Sequence, residues 1–597
     1  MKSFQFKSLL LLTTLIISLP SFGQGLKAFK LKNGLSVYIW EDESKSDVFG
    51  LVGVRAGSIN DPEESTGLAH YLEHVMFKGT DKLGALNWTE EEPIYKEILA
   101  KYDQLAEDAD PAGTYYDWTF YHSSFPAYQI NKWLEISSQR FLHPVFRSFQ
   151  SELENVYEEY NRSQDDQGRA QNQFVMEKAF EGHPYSRSII GLPEHLKNPR
   201  LSKLIEFYEQ WYVPENMVLV LVGNIKAQQI SGRINAAFGR LAAKPAPERK
   251  VYQNLEIKGR KQYSAKVGFY PQVAMVFNGV PAGHPDEDAL DIALALLNNN
   301  SQTGTMDKLV LDGELTSAGA YTRTFREQGR AIVAAIPLYD ENQRRFESTK
   351  SAEKKALKAI QQIANGEFED WKIDAIKAEK CRQFDLEMES NEDKAMILMN
   401  AFYNEQDLGD ILNYKDKIMA ITTDDIKRVA KKYLSDNYLA LYIEKGKPDK
   451  NAKIEKPGYK PVEPPIGKES LYATQFKNLP IGQMEEKFAD YGEVQIKQLN
   501  DRSKMYYTPN KENNVFQLVV QYGAGEREFP KLGYAAQLMN NAGIMGAYEP
   551  QELKEELSKL NATCHVTADD DNLYILMEGY AATLPQACQL LSRQIMM

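Results

Sequence analysis

Two histidines and a glutamate stand close together in Gly67-Leu-Ala-His70-Tyr-Leu-Glu73-His74-Val-Met-Phe-Lys-Gly-Thr80. Histidine is scarce here, eight in 597 residues, so a pair four apart is informative. On a helix, residues i and i+4 share a face and i+3 lies beside them. His70 and His74 can therefore offer two imidazoles to one metal ion, with the Glu73 carboxylate reaching the same space. The pattern is H-x-x-E-H, the metalloprotease H-E-x-x-H read in reverse. Catalytic zinc takes three protein ligands and keeps one position open, so a third ligand must come from elsewhere. The acidic helix predicted over Phe149–Arg162 is the obvious source. Its Glu152 and Glu159 are two turns apart and share a face. Glu154 and Glu158 point differently and read as solvated surface charges.

The elements that must position these groups follow from local pattern. Asn33-Gly34, between the alternating apolar residues of Phe29–Ile39, is a hairpin signal. Val48–Arg55 reads as a strand broken at Gly57, and Gly67 opens the motif helix. A charged surface helix is predicted over Glu90–Glu107, a short strand over Tyr115–Phe120 and a helix over Ile130–Phe141. Leu201–Tyr212 reads as a helix, followed by a buried strand over Met217–Val222.

A proline-marked junction at Lys244–Pro247 closes this unit. The next runs to about Gly446, with helices predicted near Asp286–Leu297, Glu341–Asn365 and Glu369–Glu389. It ends as the first does. Tyr433, Asn437 and the run Tyr438–Ile443 echo Tyr212, Asn216 and Met217–Leu221, a sign of duplicated α+β units. Pro448–Pro480, with six prolines among lysines and glutamates, reads as an extended linker. From Glu486 the opening of the first unit recurs. Val515–Gly525 matches Val48–Gly57, and Ala536, Met539 and Asn540 fall near the places of His70, Glu73 and His74. A copy that keeps the apolar pattern and drops the metal-binding side chains assigns those three residues to chemistry.

The chain is 43% hydrophobic and 26% charged, ordinary globular material too long for one core. A net charge of −13 and a pI near 5.4 argue against nucleic acid as a general partner. Residues 1–23 read as a cleavable export signal: Lys2 and Lys7, a short apolar run over Leu9–Leu19, then Ser21-Phe22-Gly23. The expectation is an exported, periplasmic protein without stable membrane insertion. Cys381, Cys564 and Cys588 are too few and too scattered for a disulfide framework.

The motif, the preceding Arg55-Ala-Gly57-Ser58, the Glu152…Glu159 helix, His183-Pro-Tyr185 and Tyr212…Pro-Glu-Asn216-Met together resemble the pitrilysin/insulysin family of inverted zinc metallopeptidases, to which mitochondrial processing peptidase is related. The resemblance implies an α+β fold of tandem homologous α/β-roll domains. Their bounds would be 24–243 for the zinc-peptidase domain and 248–446 for an inactive copy. A linker over 447–485 and a partial third copy over 486–597 would follow. It also implies that His70, His74 and Glu159 bind Zn2+, that Glu73 is the general base, and that Glu152 supports the catalytic site. The substrate would be a peptide or unfolded polypeptide.

Three departures stand out. Pro111-Ala-Gly-Thr114 occupies the place of the family's Asn-Ala-x-Thr, although Asp117-Trp-Thr119 is present, so weaker substrate holding is expected at that edge. The interval from His74 to Glu159 is long, as the extra helix at Glu90–Glu107 would require. The third copy is about half the length of the first and reaches Met597 without a closing strand. On this reading the chain is a fragment, or a second copy or another peptidase-like chain supplies the other half. A competing reading is a non-catalytic subunit that completes another peptidase's chamber.

Overall fold

The computed structural model describes residues 25–82, 112–146, 149–447, 453–456, 458, 471–483 and 491–596. The export signal, the helix expected over Glu90–Glu107 and Pro111 lie outside the described residues.

Local sequence sets the first sheet. β1 (Leu26–Lys30) and β2 (Ser36–Glu41) form an antiparallel hairpin. Gly34 takes the left-handed turn position at φ 96°, and the buried Asn33 side chain donates to the carbonyls of Phe238 at 2.9 Å and Leu241 at 3.0 Å. β3 (Asp47–Val54), β4 (Ala112–Thr114), β5 (Thr119–Pro126) and β6 (Met217–Gly223) complete a sheet in the order β1-β2-β6-β3-β5-β4. β6 is central, parallel to β2, antiparallel to β3 and buried throughout.

Its apolar run faces two cores. Leu219 and Leu221 join the core beneath α1 (Leu68–Val75), α2 (Ile130–Leu142), α3 (Phe149–Asp165) and α5 (Leu201–Trp211). Val218, Val220 and Val222 pack on the other face against Ala395, Leu398, Met399 and Phe402. α4 (Gln167–Ala179) follows α3, capped at its start by Asp166.

Tyr115–Trp118 is not part of a strand, contrary to the sequence expectation. It is the turn between β4 and β5, closed by the Tyr115 N–H on the Trp118 carbonyl at 2.8 Å. The aromatic residues that raise strand propensity here stack on each other, with the Tyr115 and Trp118 rings 4.1 Å apart.

The second sheet is β7-β11-β8-β10-β9 in order, from β7 (Lys261–Gly268), β8 (Gln272–Asn278), β9 (Leu315–Thr324), β10 (Gly329–Pro337) and β11 (Tyr438–Lys445). β11 lies between a parallel β7 and an antiparallel β8, as β6 lies between β2 and β3. The helices of this unit are α6 (Glu287–Ala295), α7 (Thr349–Asn365), α8 (Asp370–Glu387), α9 (Asn391–Asn404) and α10 (Thr423–Tyr433). α7 starts at Thr349, later than Glu341, because Arg345–Phe346 pairs as a short strand with Tyr339–Asp340 and Ser348 caps the helix. α9 supplies the cover over the outer face of β6.

The stretch read as an extended linker is helical over α11 (Leu471–Lys477), whose Ala473 and Phe476 are buried in the first unit's core. Apolar residues at helical spacing outweigh the surrounding prolines there. The last described segment holds a hairpin of β12 (Gln495–Asn500) and β13 (Ser503–Tyr507). A separate sheet runs β14-β16-β15, from β14 (Val515–Tyr522), β15 (Thr563–Ala568) and β16 (Leu573–Tyr580). The antiparallel order β3-β5-β4 recurs in it. The fold is α+β, built of recurring sheet-and-helix units.

Candidate metal centre

The motif helix begins at a strained position that only glycine holds easily. Gly67 has φ 85°, and a Cβ there would stand 2.1 Å from the Ile190 carbonyl oxygen. The Asp61 carboxylate ties down the first turn, accepting from the Gly67 N–H at 2.7 Å and the Ala69 N–H at 2.8 Å. Burial pushes that carboxyl up to about 7, against the pull of these backbone donors. The Tyr71 hydroxyl donates to the Phe149 carbonyl, so α1 is fastened to the start of α3.

That fastening brings four expected residues together. His70 Nε2 is 3.4 Å from Glu159 Oε2, and His74 Nε2 is 3.6 Å from the same oxygen. One donor atom from each of the three lies within 4.8 Å of the others. Ligands about 2.1 Å from a tetrahedral ion stand about 3.4 Å apart, so two imidazoles and a carboxylate at these separations fit zinc. Glu152 stands behind His74, with its Oε1 3.1 Å from Nδ1 and its Oε2 2.6 Å from Lys78 Nζ. With Nδ1–H committed to Glu152, the ring presents Nε2 to Glu159. His70 has no such brace, since its buried Nδ1 has no hydrogen-bond partner among the described residues.

Electrostatics divides the two rings. Burial pulls His70 down to about 4, with His74 adding to the effect. Burial works the same way on His74, but pairing with Glu152 and Glu159 outweighs it and holds the ring up at about 10. Glu152 is drawn down to about 2, because His74 and Lys78 overcome the effect of its burial. Glu159 is lowered chiefly by His74. The cluster is thus built to hold positive charge at its centre.

Glu73 lines the same cleft and reaches the sheet edge. The Thr114 hydroxyl donates to its Oε2 at 2.8 Å. The Ala-Gly-Thr stretch that departs from the expected pattern therefore still forms the edge strand β4 and holds the Glu73 carboxylate. Sequence reasoning missed the parts played by Asp61, Lys78 and Thr114. Lys78, one turn past His74, carried a readable signal in its spacing; Asp61 and Thr114 act through tertiary contacts.

Other expectations separate from the centre. Glu158 is exposed and pairs with Lys456. Glu154 differs from its reading as a solvated charge, because its Oε1 is shielded and has no hydrogen-bond partner among the described residues. His183-Pro-Tyr185 lies at the junction with the second sheet, where the Tyr185 hydroxyl donates to Asp117 at 2.7 Å. In the third unit the helix Leu532–Asn540 (α12) carries Ala536 and Asn540. The Asn540 side chain donates to the Val566 carbonyl at 2.8 Å and accepts from its N–H at 2.7 Å, a purely structural use.

His70, Glu73, His74 and Glu159 open onto a cleft of about 1700 Å³, bounded by β4, the Ser186–Pro193 segment, and Ala265, Val267 and Arg323 of the second unit. Two family models match in tandem: Insulinase (Peptidase family M16) over residues 37–192, and Peptidase M16 inactive domain over residues 200–380. The chain belongs to the M16 peptidase family. The inactive-domain match begins beyond Glu159, so all five expected site residues fall in the other model. The chain is 24% identical over 451 residues to the zinc protease PqqE of Helicobacter pylori, covering 73% of this chain and 98% of that one. It is 28% identical over 230 residues to the insulin-degrading enzyme homolog of Dictyostelium discoideum, covering 37% of this chain and 22% of that one.

Among solved structures it resembles a protease from Helicobacter pylori, with a TM-score of 0.62 and 21% identity over 70% of this chain and 99% of that one. It also resembles the periplasmic protease PqqL of Escherichia coli, with a TM-score of 0.60 and 16% identity over 97% of this chain and 66% of that one. These likenesses are of fold. The cysteines are free thiols, and among the described residues no helix is long and apolar enough to cross a membrane.

Proposed function

We propose that the chain is an exported zinc-dependent endopeptidase that cleaves peptides or unfolded polypeptides. The observation that carries this reading is the convergence of one ligand atom each from His70, His74 and Glu159 within 4.8 Å, in a cleft that Glu73 also lines. His70, His74 and Glu159 would hold the ion. Zinc, when bound, supplies a Lewis acid that polarises a peptide carbonyl and acidifies water. Glu73 takes the proton of the attacking water on its carboxylate and delivers it to the leaving amine. Thr114 fixes the direction of that carboxylate. Glu152 and Lys78 fix the ring plane of His74, so that Nε2 stays directed at the ion.

Among the described residues β4 is an edge strand, and its Ala112, Gly113 and Thr114 line the cleft, where an extended peptide can add to it. Export is supported by the leader at residues 1–23, and a fold neighbour is itself called periplasmic. The domain division at about 243, 446 and 486 is part of the same reading. The test is zinc content and cleavage of an unstructured peptide, wild type against Glu73→Gln. Both should carry about one zinc, and cleavage should fall roughly 10²–10⁴-fold in the variant and cease in the wild type with a chelator. Wild-type turnover by Glu73→Gln would sink the assignment.

A further inference from the structure

The cleft carries more positive charge than its metal centre needs. Among the described residues four arginines line it, Arg162, Arg169, Arg187 and Arg323, in a chain whose net charge is −13. Of the four lining carboxylates among the described residues, Glu73 and Glu159 belong to the candidate metal centre, where a divalent ion would offset them. Asp166 is committed: its Oδ1 accepts from the Gly168 N–H at 2.8 Å and the Arg169 N–H at 3.1 Å, and its Oδ2 lies 3.8 Å from Arg169 Nε. Glu177 accepts from Gln173 Nε2 at 3.1 Å.

Arg187 and Arg323 have no such partner. Among the described residues neither is in a salt bridge, and each has a shielded donor without an acceptor, Nη1 of Arg187 and Nε of Arg323. Among the described residues Arg323 makes one side-chain hydrogen bond, from Nη2 to Asn172 Oδ1 at 2.9 Å, and its guanidinium stands 5.9 Å from the centre of the Tyr321 ring. Arg187 feels the buried Asp61 only through space. They stand on different walls, Arg187 on the Ser186–Pro193 segment and Arg323 on β9. A shielded guanidinium N–H left without an acceptor is unfavourable, and a carboxylate is the acceptor whose geometry matches it best. Low-dielectric walls also strengthen a cleft's field toward an incoming anion.

We propose that the cleft selects peptides with aspartate or glutamate side chains close to the scissile bond, received by Arg187 and Arg323. This specificity rests on reading the cleft as a peptide site, and it concerns the arginines rather than the hydrolytic step.

Binding to the zinc-loaded Glu73→Gln protein tests it without turnover. The probes are fluorescently labelled unstructured peptides that differ only in two positions occupied by Glu, Gln or Lys. The Glu peptide should bind about tenfold tighter than the Gln peptide at low ionic strength, with Lys weakest, and the ratio should shrink as salt is added. Arg187→Gln and Arg323→Gln should each move the Glu/Gln ratio toward one. Arg323→Lys, which keeps the charge but loses the guanidinium fork, should retain part of it, which guards against a variant that merely folds badly; zinc content and thermal midpoint check the rest. Equal binding of the three peptides, tighter binding of the Lys peptide, or a ratio unmoved by both Gln variants would overturn the proposal. The peptidase reading fails separately: acidic preference without cleavage by the wild type refutes hydrolysis, and cleavage without preference refutes the specificity.

Discussion

At the scale of single residues, the geometry of the centre depends on a group that would touch no metal. Glu152 holds His74 through Nδ1 at 3.1 Å and is itself held by Lys78 at 2.6 Å. Replacing it with Gln keeps an oxygen within reach of Nδ1–H but removes the negative charge that makes the imidazole a better ligand, and it removes the ion pair with Lys78. Such outer partners typically contribute 10–100-fold in metal affinity. Glu152→Gln should therefore weaken zinc binding about 10–100-fold in a competition titration, whereas Glu73→Gln should leave it nearly unchanged. Equal affinities in the two variants would remove Glu152 from the site. The opposite shifts of His70 and His74 reflect their surroundings: burial and the neighbouring His74 outweigh Glu159 at the first ring, whereas the second is held between two carboxylates.

At the scale of elements, the approach to the motif helix is the sensitive point. Gly67 joins a positive φ of 85° to a Cβ position 2.1 Å from the Ile190 oxygen. Gly67→Ala should cost about 1–3 kcal/mol from the backbone conformation alone. It should also push α1 away from the segment that bounds the cleft. A lower thermal midpoint together with weaker zinc binding is the expected pair of results. Gly67 as the helix start, the Asn33-Gly34 hairpin and the central β6 were all legible, because turn chemistry and apolar runs are local signals. The turn at Tyr115–Trp118 was not, since its aromatic residues favour a strand until their mutual stacking is known. The grip of Asp61 on Gly67 and of Thr114 on Glu73 depends on tertiary approach and left no periodic mark.

A second element junction titrates. Asp286, at the start of α6, accepts from the Tyr433 hydroxyl at 2.6 Å, Arg428 at 2.6 Å and Lys432 at 3.0 Å, all on α10. Burial works to raise its pKa, but these donors outweigh it and hold the carboxyl well below its ordinary 3.8. A folded-state pKa below the unfolded one means stability that is fully present above about pH 4 and is lost as pH falls further. The urea midpoint should fall on acidification below that point. In Asp286→Asn it should start lower at neutral pH and respond less to acid. A variant that loses stability in parallel with the wild type would exclude this carboxyl as a source of acid sensitivity.

At the scale of the whole molecule, two buried arginines join the units, and they should fail differently. Arg330 on β10 is 2% exposed and donates to Ala179 at 2.9 Å and Leu255 at 2.7 Å, so it bolts the second sheet to the end of α4. Arg382 on α8 donates to the Asn561 carbonyl and lies 3.3 Å from Glu578, tying the second unit to the third. Each looked like an ordinary basic residue in the sequence, because its partners lie far away in the chain. Arg330→Met strands the buried Ala179 carbonyl and leaves the half-buried Leu255 carbonyl with only the Gln328 amide at 3.3 Å, and at roughly 1–3 kcal/mol for the stranded group the loss is large. It also frees the strand next to β9, so Arg323 should drift relative to Arg187. The variant should lose both stability to urea and discrimination between Glu and Gln peptides, although neither cleft arginine is altered. Arg382→Met should speed hydrogen exchange in β14–β16 while leaving peptide discrimination and zinc affinity intact. If the two variants behave alike, the cleft is not assembled by the first and second units alone, and the third unit has to be counted among its walls.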